Sequence, residues 1–89
     1  MKASIELSLY PLNENYKERI TAFIVRLKKY NTITVQPNGM STQLFGEYDV
    51  IMDIVKTELG EELSNHRCMA VMKIGDGFLT SDKLPKELR

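Results

Sequence analysis

Three polar side chains near the start of the chain alternate with apolar ones, and they are the first candidates for ligand binding. Glu6, Ser8 and Tyr10 fall on one face of an extended segment whose other face is apolar. A carboxylate held in this way suits a cationic or amine-bearing ligand, and a tyrosine ring adds a stacking surface. The other interpretation is that Glu6 is an ordinary solvent-facing residue of an open sheet, and both remain open at this point.

A second polar group lies in segment 38–43, which reads Asn-Gly-Met-Ser-Thr-Gln. Asn38 and Gly39 supply turn chemistry, because both tolerate a positive φ. The serine, threonine and glutamine that follow place hydroxyls and an amide on a strand. We expect them to lie near Glu6 and Ser8 and to offer hydrogen bonds to a heteroaromatic ring. The alternative is a polar strand edge with no ligand.

Motifs for catalysis and metal binding are missing from the sequence. His66 is the one histidine, and neither a second histidine nor a second cysteine stands at metal-ligand spacing. There is no Cys-x-x-Cys, no glycine-rich phosphate loop and no aromatic RNA-binding signature. We therefore expect a protein that is not an enzyme and that uses no cofactor or metal.

The charge and the cysteine content limit which classes of partner and which cellular compartment we expect for the protein. Twelve basic residues balance twelve acidic ones, so the chain has no net charge to attract nucleic acid or an anionic membrane. Cys68 is the only cysteine, which excludes an intrachain disulfide and fits a reducing compartment. No apolar run is long enough to span a bilayer, and the alternating N-terminus does not resemble a signal peptide. We expect a cytoplasmic protein.

The elements that must position these residues follow from hydrophobic periodicity. Residues 3–10 predict a strand, and Asn15 with Glu18 predicts a capping box for a helix that ends with a left-handed Asn31. A strand over 32–36 and a strand over 40–45 should form a hairpin.

A second helix is predicted to follow Gly46, because apolar residues recur there at helical spacing. Its expected buried stripe consists of Val50, Ile51, Ile54, Val55 and Leu59. Gly60 is expected to kink the helix or end it early. Residues 68–74 predict a fourth strand, apolar on both faces except at Lys73. We assign residues 1–77 to one domain and residues 78–89 to a polar C-terminal tail.

The order β-α-β-β-α-β predicts an α+β, ferredoxin-like fold. Right-handed crossovers place both helices on one face of a four-stranded antiparallel sheet with strand order 4-1-3-2. The other face, which carries Ser4, Glu6, Ser8 and Tyr10, is then free of helices. Apolar residues of the fourth strand lie open on it, and such a patch usually marks an interface. We expect a homo-oligomer, either a dimer or a tetramer.

Three parts of the sequence together resemble the thiamine-binding, YkoF-like proteins. They are Ser-Ile-Glu-Leu-Ser-Leu-Tyr-Pro-Leu at 4–12, Val-Gln-Pro-Asn-Gly-Met-Ser-Thr at 35–42, and Gly46 before an amphipathic helix. The similarity covers residues 3–74. It implies a ferredoxin-like fold that assembles through its sheets, and a pocket for thiamine or its hydroxymethylpyrimidine part. Carried over to this chain, the ligand-binding residues are Glu6, Ser8, Tyr10, Asn38, Met40, Ser41 and Thr42.

Three hypotheses for function follow. The first is a non-catalytic binding protein for thiamine or a related aminopyrimidine, with its site on the helix-free face near a subunit interface. The second is a structural or regulatory homo-oligomer that binds a protein partner and no small molecule. The third is an enzyme of the acylphosphatase type, which needs an arginine in a glycine-rich loop after the first strand. Residues 11–15 contain neither arginine nor glycine, so the third hypothesis is the weakest.

Overall fold

A computed structural model describes residues 1–89, and its elements follow the predicted order. They are β1 (Lys2–Pro11), α1 (Tyr16–Lys28), β2 (Thr34–Pro37), β3 (Thr42–Glu47), α2 (Tyr48–Asn65) and β4 (Cys68–Asp76), followed by two short 3-10 turns, Ser81–Lys83 and Lys86–Leu88. The four strands form one antiparallel sheet in the order β2-β3-β1-β4. The α+β, ferredoxin-like fold and its strand order are therefore confirmed.

The central strand β1 gives the sheet its two different faces. It pairs with β3 on one side and with β4 on the other. Its odd-numbered residues from Ala3 to Leu9 are buried against the helices. Because directly paired residues of neighbouring strands share a face, the register decides which side chains accompany them. Glu6 is paired with Gln43 and with Lys73, so these three residues share the helix-free face.

The core lies between the sheet and the two helices. Phe23 and Leu27 of α1 and Ile51 of α2 are almost completely buried against β1 and β3. Burial of each such side chain contributes about 1.5–3 kcal/mol to folding. The predicted stripe of α2 is correct for Ile51, Ile54 and Val55. Val50 is exposed, because it lies on the flank of that stripe.

Gly60 does not end α2, which continues to Asn65. A methyl group added at Gly60 would meet nothing within 4 Å. The side chain that ends the buried stripe is Glu62, which is 1% exposed. None of the helices is both long and apolar enough to cross a membrane.

Both predicted end signals of α1 are wrong. Asn15 precedes the helix but makes no side-chain hydrogen bond to it, because its backbone (φ −93°, ψ 33°) is not extended as a capping residue requires. At the other end Lys29 keeps a helical conformation; its N–H donates to the Arg26 carbonyl, and the Tyr30 N–H donates to the Leu27 carbonyl. This tightened last turn replaces the left-handed exit expected at Asn31. Gly77 is the only residue with a positive φ.

The hairpin between β2 and β3 closes through the Asn38 side chain rather than through positive φ angles. Asn38 Oδ1 accepts hydrogen bonds from the backbone N–H of Met40 (2.8 Å) and of Ser41 (2.9 Å). The Asn38 N–H donates to the Ser41 carbonyl at 2.9 Å. This Asx-type turn holds Met40 at an exposed tip. The strand β3 consequently begins at Thr42, two residues later than predicted.

Candidate functional site

The centre of the helix-free face is occupied by the carboxylate of Glu6. Its Oε2 accepts a hydrogen bond from Ser41 Oγ at 3.1 Å, and its Oε1 lies 3.6 Å from Lys73 Nζ. The Glu6 side chain is 38% exposed, whereas that of Lys73 is 81% exposed. The serine therefore orients the carboxylate, and the lysine is a loosely held counter-ion that water competes with.

A cavity of about 310 Å³ lies over this carboxylate, and we call it the Glu6 cleft. Glu6, Gln43 and Lys73 provide its polar lining, and Phe45 and Leu79 provide apolar walls. A pocket of this size, mainly apolar with a few convergent polar groups, is typical of a small-molecule site.

The segment after β4 turns back onto the sheet and closes one end of the cleft. Gly77 makes the turn with φ +75°, a conformation that costs a glycine little. Ser4 Oγ then donates to the Gly77 carbonyl (2.7 Å) and accepts from the Leu79 N–H (2.9 Å). The Phe78 ring packs edge-to-face on Phe45, with 6.2 Å between centroids. Ser4, predicted to lie on an open face, is consequently buried.

The close approach of Leu79 to the sheet depends on a glycine in β4. A Cβ added at Gly75 would lie 2.7 Å from Leu79 Cδ1, closer than real atoms come. The absence of a side chain at Gly75 therefore lets Leu79 form a wall of the cleft.

A second cavity of about 310 Å³ adjoins the Glu6 cleft, and we call it the Lys83 cavity. Gln43 and Leu79 line both cavities. The remaining polar lining of the Lys83 cavity comes from Thr80, Ser81 and Lys83.

The structure brings some of the residues predicted to bind ligand to the Glu6 cleft and leaves others away from it. Glu6 lines the cleft, and the Ser41 hydroxyl donates a hydrogen bond to Glu6. Ser8 shares the face of Glu6, but its hydroxyl donates to the Met40 carbonyl at 3.4 Å. Tyr10 lies exposed farther along β1, opposite Met69.

The predicted position of Thr42 on the helix-free face is wrong. Thr42 is paired with Leu7, which faces the helices, and it is 5% exposed. Because strand side chains alternate, Ser41 and Gln43 cannot share a face with the residue between them. Thr42 instead lines a smaller cavity on the helix side, together with Ser8 and with residues 38–41. That cavity measures about 90 Å³, less than the roughly 150 Å³ of a cavity that holds benzene.

The sequence predicted that Gln43 lies near Glu6, but it did not identify Lys73, Phe45 and Leu79 as lining residues. Lys73 had a usable signal, because the antiparallel pairing of β1 with β4 sets it opposite Glu6. Leu79 had none, because its position depends on the turn at Gly77 and on the hydroxyl of Ser4.

Beyond the cleft, the helix-free face becomes apolar toward the other end of β1. Met69 and Val71 of β4 lie there beside Tyr10, and both are more than half exposed. On the opposite face of β4, Met72 and Ile74 are also exposed, because the helices do not reach over the strand. The edge strand β4 thus carries exposed apolar side chains on both faces.

A separate group of charges lies between the two helices. Arg19 Nη2 and Arg26 Nη1 each lie 2.9 Å from Glu62 Oε1. The Tyr30 hydroxyl donates to Glu58 Oε2 at 2.6 Å and Arg26 Nε donates to Glu58 Oε1 at 2.8 Å. These two bonds, with the tyrosine first, lower the pKa of Glu58. The group joins α1 to α2 and contributes nothing to the lining of the cleft.

Cys68 is the remaining side chain with nucleophilic potential. Burial raises the pKa of its thiol, and the nearby Glu62 carboxylate raises it further. Both effects disfavour the thiolate, which is the reactive form.

Comparison with solved structures gives relatives of the whole fold. The X-ray structure of protein SP2199 from Streptococcus pneumoniae has a TM-score of 0.79 and 31% identity, over 91% of this chain and 92% of that chain. A candidate thiamine biosynthesis/salvage protein, TM0486 from Thermotoga maritima, has a TM-score of 0.76 and 20% identity over 86% and 85% of the chains.

A domain of unknown function, DUF77 from Bacillus cereus, has a TM-score of 0.72 and 18% identity over 100% of this chain and 91% of that chain. At these lower identities TM0486 and the DUF77 domain share the fold with this chain. No family model matches the sequence, and no curated protein does.

Proposed function

Because the chain belongs to the same family as protein SP2199 from Streptococcus pneumoniae, we propose that it is a YkoF-like, non-catalytic small-molecule binding protein. We propose thiamine, or its hydroxymethylpyrimidine part, as the ligand. The observation that carries the proposal is the Glu6 carboxylate, held by a serine hydroxyl in the floor of a cleft of about 310 Å³. The thiamine-related name of the Thermotoga maritima protein supports the choice of ligand.

The lining of the cleft matches the chemistry of such a ligand. Thiamine has a cationic thiazolium and an aminopyrimidine. Glu6 would pair with the cation or accept from the amine, and the Gln43 amide offers both a donor and an acceptor. Phe45 and Leu79 would flank the ring with apolar surface. Ser41 would act by orienting Glu6.

We propose binding without catalysis. The groups that line the cleft include no nucleophile paired with a base. Cys68, whose pKa is raised, and His66 line a different depression near the start of β4.

We further propose that the protein is a cytoplasmic homo-oligomer, either a dimer or a tetramer. The partner we propose is a second copy of the chain, seated on β4. This edge strand has nine residues and carries exposed apolar side chains on both faces. An edge of this kind is a template for pairing with another strand. Such contacts would place the Glu6 cleft near a subunit boundary.

Isothermal titration of the protein with thiamine and with hydroxymethylpyrimidine tests the ligand. We expect saturable binding, weakened about tenfold or more by Glu6→Gln, because the variant loses a hydrogen bond to a charged group. Glu14→Gln removes the same charge from an exposed loop and serves as the control. If neither compound binds at millimolar concentration, the proposed ligand is wrong. If both variants bind equally well, the site is wrong.

Native mass spectrometry of the purified protein tests the assembly. It also distinguishes a ligand-binding protein from a structural or regulatory homo-oligomer that binds no small molecule. We expect a dimer or a tetramer that retains or takes up thiamine. A stable oligomer that takes up none would favour a structural role. A monomer at micromolar concentration would contradict the proposed assembly.

A further inference from the structure

We propose that the ligand is bipolar, with its cation at Glu6 and a phosphate ester in the Lys83 cavity. This inference rests on the proposed function and deepens it, because it assigns a site to the phosphorylated form of the same aminopyrimidine–thiazolium ligand. The proposal concerns a region, residues 78–84, that the sequence indicated only as a polar tail.

The first argument is the contiguity of the two cavities. The Glu6 cleft and the Lys83 cavity have the same volume, about 310 Å³ each, and Gln43 and Leu79 line both. A ligand whose ring lies against Glu6 can therefore extend past Leu79 into the second cavity. The Gln43 amide stands between the two and offers hydrogen bonds on either side.

The second argument is the difference in charge between the two cavities. The Glu6 cleft contains both a carboxylate, Glu6, and an ammonium, Lys73, whereas the one charged group of the Lys83 cavity is an ammonium. Lys83 Nζ lies 5.8 Å from the centroid of the Phe78 ring, and Lys2 Nζ lies 5.2 Å from the same centroid. Neither lysine forms an ion pair with a carboxylate. Two uncompensated cations are thus held over one ring, beside a cavity.

The third argument is the kind of donor that accompanies the cation. Thr80 and Ser81 contribute hydroxyl groups to the Lys83 cavity. Phosphate oxygens accept hydrogen bonds from hydroxyls and from ammonium groups, and the bonds to the ammonium are strengthened by charge. An uncharged ligand tail would use the hydroxyls but gain nothing from Lys83. A phosphate ester is the occupant that uses both the hydroxyl groups and the ammonium of this lining.

The experiment compares thiamine with thiamine monophosphate by isothermal titration at one fixed, moderate salt concentration. We expect the phosphate ester to bind about tenfold more tightly, since it adds a charge-assisted contact. Lys83→Met should remove this preference and leave the affinity for thiamine unchanged. Lys86→Met changes the net charge equally, but Lys86 lines neither cavity, and it should keep the preference.

The outcomes separate this inference from the proposed function. If thiamine binds and its phosphate binds no better, the inference is wrong and the proposed function stands. An equal loss of preference in Lys83→Met and Lys86→Met would mean that only the overall charge matters, which also overturns the inference. If neither compound binds, the proposed function fails and the inference fails with it.

Discussion

The two faces of the sheet differ in what covers them and in what their residues can do. One face is apolar and lies under two helices, so that Leu7 and Leu44 are almost completely buried. The other face has the carboxylate of Glu6 at its centre, and its only cover is the short segment after β4. The comparison indicates that stability depends on one set of alternate residues of β1, whereas the proposed binding depends on the other set.

Substitutions at neighbouring residues of β1 should therefore change the free energy of unfolding by very different amounts. Leu7→Ala removes a core side chain and should lower the free energy of unfolding by about 3 kcal/mol. Ser8→Ala, one position along, should change it by less than about 0.5 kcal/mol, because the hydroxyl makes one long bond to an exposed carbonyl. Urea denaturation of both variants measures the difference. Similar losses would mean that the two faces contribute equally to stability.

Two carboxylates extend the comparison beyond the strand. Glu62 is 1% exposed and contacts two arginines, whereas Glu6 is partly exposed and contacts a serine and an exposed lysine. Glu62→Ala should lower the free energy of unfolding by about 2–3 kcal/mol, because it leaves Arg19 without a carboxylate partner and Arg26 with Glu58 alone. Glu6→Ala should lower it by less than about 0.5 kcal/mol.

Thermal unfolding followed by circular dichroism distinguishes these two variants, and thiamine titration should rank them in the reverse order. A Glu6→Ala variant that is as unstable as Glu62→Ala would show that the cleft carboxylate is a structural residue.

The smallest expected effect concerns Lys73, whose ammonium lies beside the Glu6 carboxylate that the proposed ligand would contact. A cationic ligand must displace this ammonium, so Lys73→Met should tighten thiamine binding by about twofold to fivefold, the range that an exposed ion pair allows. Lys56→Met, on the exposed surface of α2, makes the same change of charge and should leave the affinity nearly unaltered. Weaker binding by Lys73→Met would show that the lysine assists the ligand instead of competing with it.

Much of the fold was predictable because periodicity records burial directly. The alternation in β1 and the spacing of Ile51, Ile54 and Val55 in α2 identified the core face of each element. The helix ends were not predictable in this way, because Asn15 can cap the helix only if its backbone is extended, and hydrophobic periodicity carries no information on that conformation. The burial of Glu62 could not be predicted from the sequence either, since it depends on two arginines in another helix.

The candidate site was predictable only in part, for reasons of register and of tertiary contact. Glu6 and Ser41 were identified from their residue types, and they are hydrogen-bonded. Thr42 was misplaced because a run of polar residues gives no sign of which face each residue occupies, and the face is set by the pairing of Thr42 with Leu7. The contribution of Leu79 required a contact with Ser4, which no local pattern encodes.

The central position of β1 has a consequence for the order in which the protein can be assembled during synthesis. The strand that carries Glu6 is made first, but the Ser4 hydroxyl meets its partner carbonyl 73 residues later in the chain. Contacts of such long sequence separation form slowly. Until β4 has left the ribosome, one edge of β1 stays unpaired and exposed to other nascent chains. The proposed ligand site is thus completed late in synthesis, so a ligand bound there would stabilise only chains in which β4 has joined the sheet.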